Sequence, residues 1–86
     1  MDYVLKFNKG IKYYNQISYE LADRFIDNFE NTINQIEINP FIYQLRYKNI
    51  RIANFSKFPY SIHFIVENES IFILNVLHQK SYYKES

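Results

Sequence analysis

Residues 55–78 read FSKFPYSIHFIVENESIFILNVLH, and this stretch decides the fold. From Tyr60 to Glu67 the side chains alternate: Tyr60, Ile62, Phe64 and Val66 fall on one face, Ser61, His63 and Ile65 on the other. A period of two is the signature of a strand. Asn68-Glu69-Ser70 is a short turn, and Ile71 to His78 is a further strand, apolar on both faces until its end. On the N-terminal side Lys57-Phe58-Pro59 breaks the pattern, and Ile50 to Phe55 before it is rich in apolar and β-branched residues. Short connections between such runs suit an antiparallel meander. Runs with so little polar alternation predict a sheet covered on at least one face.

Upstream the period changes. Val4, Phe7, Ile11 and Tyr14 recur at three- and four-residue spacing, one face of a helix, with Gly10 as a weak point. Ser18 suits the N-cap of a second helix, and Glu20 lies near its positive end. Ala22, Phe25, Phe29, Ile33 and Ile36 form the apolar stripe of that helix, and the acidic residues between them form its wet face. Asn39-Pro40 ends it, because proline disfavours helix at the residue before it and lacks the N–H to continue the ladder. The expected fold is therefore α+β over a single domain, residues 1–86: an N-terminal helical hairpin packed on a three- to four-stranded antiparallel sheet.

Bulk composition narrows the function. Eighty-six residues make one small core, which 9 Tyr, 8 Phe and many Ile can fill. The absence of cysteine removes a disulfide framework, a thiolate metal site and a cysteine nucleophile together, and is compatible with the cytosol. Two histidines offer no zinc spacing, so no metal and no cofactor is expected. No apolar run approaches the roughly 20 residues of a membrane span, and MDYVLKFNKG does not read as a signal peptide, so a cytoplasmic protein with no membrane partner is expected. Residues 1–43 carry a net charge of −2 and residues 44–86 a net +3. A basic second half suits nucleic acid or an acidic partner, and equally an ordinary solvated surface.

Two groups of residues carry chemistry. His78 ends the last strand, followed by Lys80, Tyr82 and Tyr83. A histidine that titrates near neutrality beside a cation is what a metal-free ribonuclease needs; a strand-end histidine with a solvated tail is the plain alternative. Arg46, Lys48 and Arg51 cluster around the first strand, with Arg46 and Lys48 expected near its entry turn. They suit phosphates or partner carboxylates, or simply protect an edge strand from aggregation. Tyr43, Tyr47, Phe55 and Tyr60 are candidates for stacking on bases or for the core. His63 is expected to be a partly exposed strand residue. The only glycine is Gly10, which rules out a phosphate-binding glycine loop.

Ordered segments then point to a family. YYNQIS (13–18) before LADRF (21–25) resembles the first-hairpin corner of RelE/ParE-type toxins. IEINPFIYQLRYKNIR (36–51) resembles their helix end, Asn-Pro stop and entry into the sheet, with Arg51 at a commonly basic position. Residues 55–78 are similar to their Phe-Pro-Tyr turn, central strand and last strand ending in histidine. The resemblance implies a growth-inhibiting toxin of a type II toxin–antitoxin pair, with a cognate antitoxin as partner. It leaves three mechanisms open: ribosome-dependent mRNA cleavage, non-enzymatic inhibition of DNA gyrase, or a degenerate member that only binds its antitoxin or itself. For cleavage it implies His78 and Lys80 as catalytic groups, with Arg46, Lys48, Arg51, Tyr82 and Tyr83 on the nucleic acid or other target. The sequence departs from the family pattern at two places. The usual first strand is missing or very short, which predicts an open sheet edge for an antitoxin or a second copy. Ser61 stands where the mRNA-cleaving branch often has arginine.

Overall fold

The computed structural model describes residues 11–80. Residues 11–17 are helical (α1), and a second helix, α2, spans Tyr19–Ile38. Ser18 separates them: its backbone is extended, its N–H reaches the Tyr14 carbonyl at 2.8 Å, and its side chain accepts from the Leu21 N–H at 3.3 Å. The hydroxyl thus satisfies one of the amides left open at the start of α2. The helix stops at Asn39, and Pro40–Ile42 forms a single 3-10 turn with proline at its start.

Four strands follow: β1 (Leu45–Tyr47), β2 (Ile50–Asn54), β3 (Tyr60–Glu67) and β4 (Ser70–His78). They lie in the order β1-β2-β3-β4, each antiparallel to the next. The expected α+β fold, a helical hairpin on an antiparallel meander, is what forms, with four strands. The fourth is β1. Arg46 is a member of this separate short strand, and Lys48 lies in the hairpin that links it to β2, with Tyr47 paired to Ile50. Three residues are too few to show a period, so the strand is defined only by its pairing to β2. The expectation about a lost first strand concerns residues 1–10, as do Val4 and Phe7, and lies outside the described residues.

The core forms where the α2 stripe meets one sheet face. Phe25, Ile36, Ala53, Phe55, Ile62, Phe64 and Val76 are buried together, and Ile11, Tyr14, Phe29, Ile33, Tyr60 and Val66 pack around them. Phe25 is fully enclosed, with rings of Phe58 and Tyr60 edge-on at 5.2 and 5.0 Å and Phe55 at 5.5 Å. Burying one such ring stabilises by about 1.5–3 kcal/mol, and edge-on aromatic pairs add to that. Phe29 is half-buried against Phe55. Among the described residues, most of the aromatic side chains serve to close a small core.

Candidate functional site

His78 is half-buried at the end of β4, opposite Tyr60 of β3, whose ring meets the imidazole edge-on at 5.2 Å. Its Nδ1 accepts the Lys80 backbone N–H at 3.1 Å. Gln79 donates its N–H to the Pro59 carbonyl at 2.8 Å. Residues 79 and 80 leave the strand as helical backbone, and His78 Nδ1 is engaged at that change. Lys80 is exposed. Tyr82 and Tyr83 lie outside the described residues.

The other cations sit elsewhere. Arg51 is opposite Phe64, on the face that α2 covers. Its guanidinium donates to the Tyr43 carbonyl at 2.6 Å and lies 5.1 Å from the centre of the Phe41 ring. It is a clasp that holds the 3-10 turn onto the sheet. Arg46 and Lys48 are exposed on β1 and its hairpin. β1 and β4 are opposite edges of the described sheet. Three strand spacings of about 4.8 Å put them roughly 14 Å apart. They also differ in height. His78 is level with Tyr60, and Arg51 with Phe64, four residues or roughly 13 Å further along β3. His78 and Lys80 are brought together; Arg46, Lys48 and Arg51 form a second, distant group.

The face of β3 away from α2 departs from expectation. His63 is only 1% exposed, not partly exposed, and Ser61 is fully buried. His63 Nδ1 is 3.1 Å from the Tyr47 hydroxyl, and Ser61 donates to Asn54 Oδ1 at 2.5 Å. Alternation assigns residues to faces but does not say how deeply the second face is covered, so this burial was not legible from period alone.

Asn28 and Thr32 were also missed. Both are buried on α2. Asn28 donates to Ser56 Oγ at 3.0 Å and accepts the Lys57 N–H at 2.9 Å, which ties the β2–β3 loop to the helix. Thr32 donates to the Asn28 carbonyl at 2.7 Å. The signal was present: Phe25, Asn28, Thr32 and Ile36 lie at helical spacing on the apolar stripe, where a polar side chain must find a buried partner. Arg24, Asp27 and Asn31 join Asn28, Ser56 and Lys57 around an open cleft of about 280 Å³. Among the described residues no three His, Asp or Glu side chains are grouped to hold a metal, and no helix is long and apolar enough to cross a membrane.

A capped helical hairpin laid on a four-stranded antiparallel meander is the architecture of RelE/ParE-type toxins. The family model described as "ParE toxin of type II toxin-antitoxin system, parDE" matches residues 5–83. The chain belongs to this family, and so is a toxin of the type II toxin–antitoxin class with an antitoxin as its partner. Neither the curated proteins nor the solved structures provide a match.

Proposed function

We propose that this toxin inhibits growth by binding its target, DNA gyrase, rather than by cleaving RNA. The observation that carries this reading is the separation of the two groups of candidate residues. Metal-free RNA cleavage needs an acid, a base and a phosphate clamp around one scissile bond, within hydrogen-bond reach of the reacting atoms. His78 and Lys80 lie at one end of the β4 edge, while Arg46 and Lys48 lie at the other end of the β1 edge. Arg51 is already engaged by the Tyr43 carbonyl and the Phe41 ring. Ser61, at the position where cleaving members often carry arginine, is enclosed and bonded to Asn54. Gyrase is the target that the family resemblance implies for members that do not cleave.

Induced expression with separate readouts of translation and DNA damage tests the proposal, followed by a supercoiling assay with purified gyrase. The expected result is growth arrest with DNA damage and inhibited supercoiling, unchanged in His78→Ala. Cleavage of ribosome-bound mRNA that His78→Ala lowers by about 10²–10⁴-fold would instead establish the enzyme. A wild type that neither arrests growth nor touches either target would make the chain a binding module.

A further inference from the structure

We propose that the cleft between α2 and the β2–β3 loop binds a small organic phosphate, the phosphate monoester of a polyol. One wall is helical: Arg24, Asp27, Asn28 and Asn31 fall at i, i+3, i+4 and i+7 along α2, a single face roughly 10 Å long. The other wall is the loop, through Ser56 and Lys57. The floor is preformed. Asn28 is 6% exposed, donates to Ser56 Oγ at 3.0 Å and accepts the Lys57 N–H at 2.9 Å. The two walls are therefore held at a fixed separation before a ligand arrives, which lowers the entropy lost on binding.

The lining states the chemistry of the occupant. All six lining residues carry polar side chains. Ser56 Oγ already accepts from Asn28, which leaves its proton to donate elsewhere. Arg24 and Lys57 are exposed, and among the described residues neither makes an ion pair, although Asp27 shares the cleft. Guanidinium, ammonium and hydroxyl thus come from two elements. That suits a tetrahedral oxyanion better than a planar carboxylate, which one arginine fork would satisfy. Asp27 and Asn31 remain. The carboxylate repels a second anion and accepts from hydroxyl groups, and the Asn31 amide both donates and accepts. One phosphate with hydroxyls beside it satisfies the whole lining; a run of phosphates does not. A nucleotide fits poorly, since the lining holds no aromatic ring to stack on a base. The volume, about 280 Å³, lies just below the usual range of sites for drug-sized ligands, as a smaller ligand requires.

The test uses the full chain with glycerol 3-phosphate as the probe. Its addition is expected to raise the melting temperature in a concentration-dependent way. In a nitrogen-edited NMR titration it should move the Asn28 and Asn31 side-chain amide signals together with the Lys57 N–H. Arg24→Gln and Lys57→Gln alter exposed side chains, so each should melt as wild type does without ligand. Each should nonetheless weaken binding by about tenfold or more. Arg46→Gln removes one charge beside the start of β2, a strand length of roughly 17 Å from the loop, and should bind as wild type does. Asp27→Asn should narrow the preference for glycerol 3-phosphate over inorganic phosphate. The proposal is overturned if wild type shows neither the melting shift nor those signal changes at millimolar probe. It is overturned equally if Arg46→Gln weakens binding as much as Arg24→Gln, which would make the effect one of general charge. Tighter binding of serine or of adenosine monophosphate would give the cleft to a zwitterion or a nucleotide and would overturn it too. Gyrase inhibition is a separate readout, so failure of that reading leaves the binding measurements decisive.

Discussion

At the scale of single residues, Asn28 shows how one polar side chain can organise a loop. It meets both Ser56 and the Lys57 backbone, 28 and 29 residues further along the chain, from a position that is nearly enclosed. Asn28→Ala removes both bonds and leaves the Lys57 N–H without its acceptor. Loss of about 1–3 kcal/mol is expected, because an unpaired amide forfeits its hydration as well as its bond. Urea unfolding at neutral pH measures this, and Asn28→Asp should recover part of the loss by keeping the acceptor. Arg51 gives the complementary lesson. From the sequence it is a surface cation; in the fold its guanidinium is anchored to Tyr43 and Phe41, and its charge is spent on structure.

At the scale of elements, the β3–β4 hairpin carries a visible cost. Glu67 pairs with Ser70, so Asn68 and Glu69 are the two central residues of the turn, at φ 50° and 66°. Two positive φ values are what a tight hairpin needs to match the twist of its strands. Asparagine tolerates that region, but glutamate does not, and glycine is the favoured residue there. Glu69→Gly should therefore stabilise the protein by about 1 kcal/mol, after allowing for the extra freedom of the unfolded chain. The gain would appear as a rise in melting temperature; an unchanged or lower value would show that the glutamate side chain contributes something that offsets its backbone strain. The short β1 strand lies at the other extreme. It is an edge of the described sheet, only three residues long, and its exposed Arg46 also discourages uncontrolled pairing.

At the scale of the molecule, an aromatic cluster joins the helices to the sheet. Tyr14 of α1 meets Phe25 of α2 at 5.1 Å, Phe58 of the β2–β3 loop at 4.9 Å and Tyr60 of β3 at 6.4 Å. Burial pushes the Tyr14 hydroxyl above its ordinary pKa, and so does the approach of Tyr60 and Tyr13. Burial likewise raises Tyr60, with Tyr13 adding to the effect. A raised folded-state pKa means that the fold favours the neutral phenol. The associated stability is fully present below the ordinary tyrosine value of about 10 and is lost as pH rises through the folded value. Thermal stability should fall above pH about 10, and Tyr14→Phe with Tyr60→Phe should flatten that fall. An equally steep fall in the double variant would assign the alkaline loss to other groups.

The sequence alone determined the class of fold. Strand alternation, the helical stripe, the Ser18 cap and the Asn39-Pro40 stop are local patterns, and each is set by backbone geometry within a few residues. Membership of the toxin family was legible for a related reason, since the resemblance lies in ordered local segments. Tertiary structure alone decided where the chemistry lies. His78 and the cations at 46, 48 and 51 are separated by strand order and register, which depend on pairing between distant segments. Whether His63 is buried, Arg51 engaged and Ile38, Phe41, Ile42 and Leu45 left in solvent depends on what each side chain meets across the fold. A one-dimensional pattern carries period and sign of charge; it does not carry the contacts that turn either one into a site.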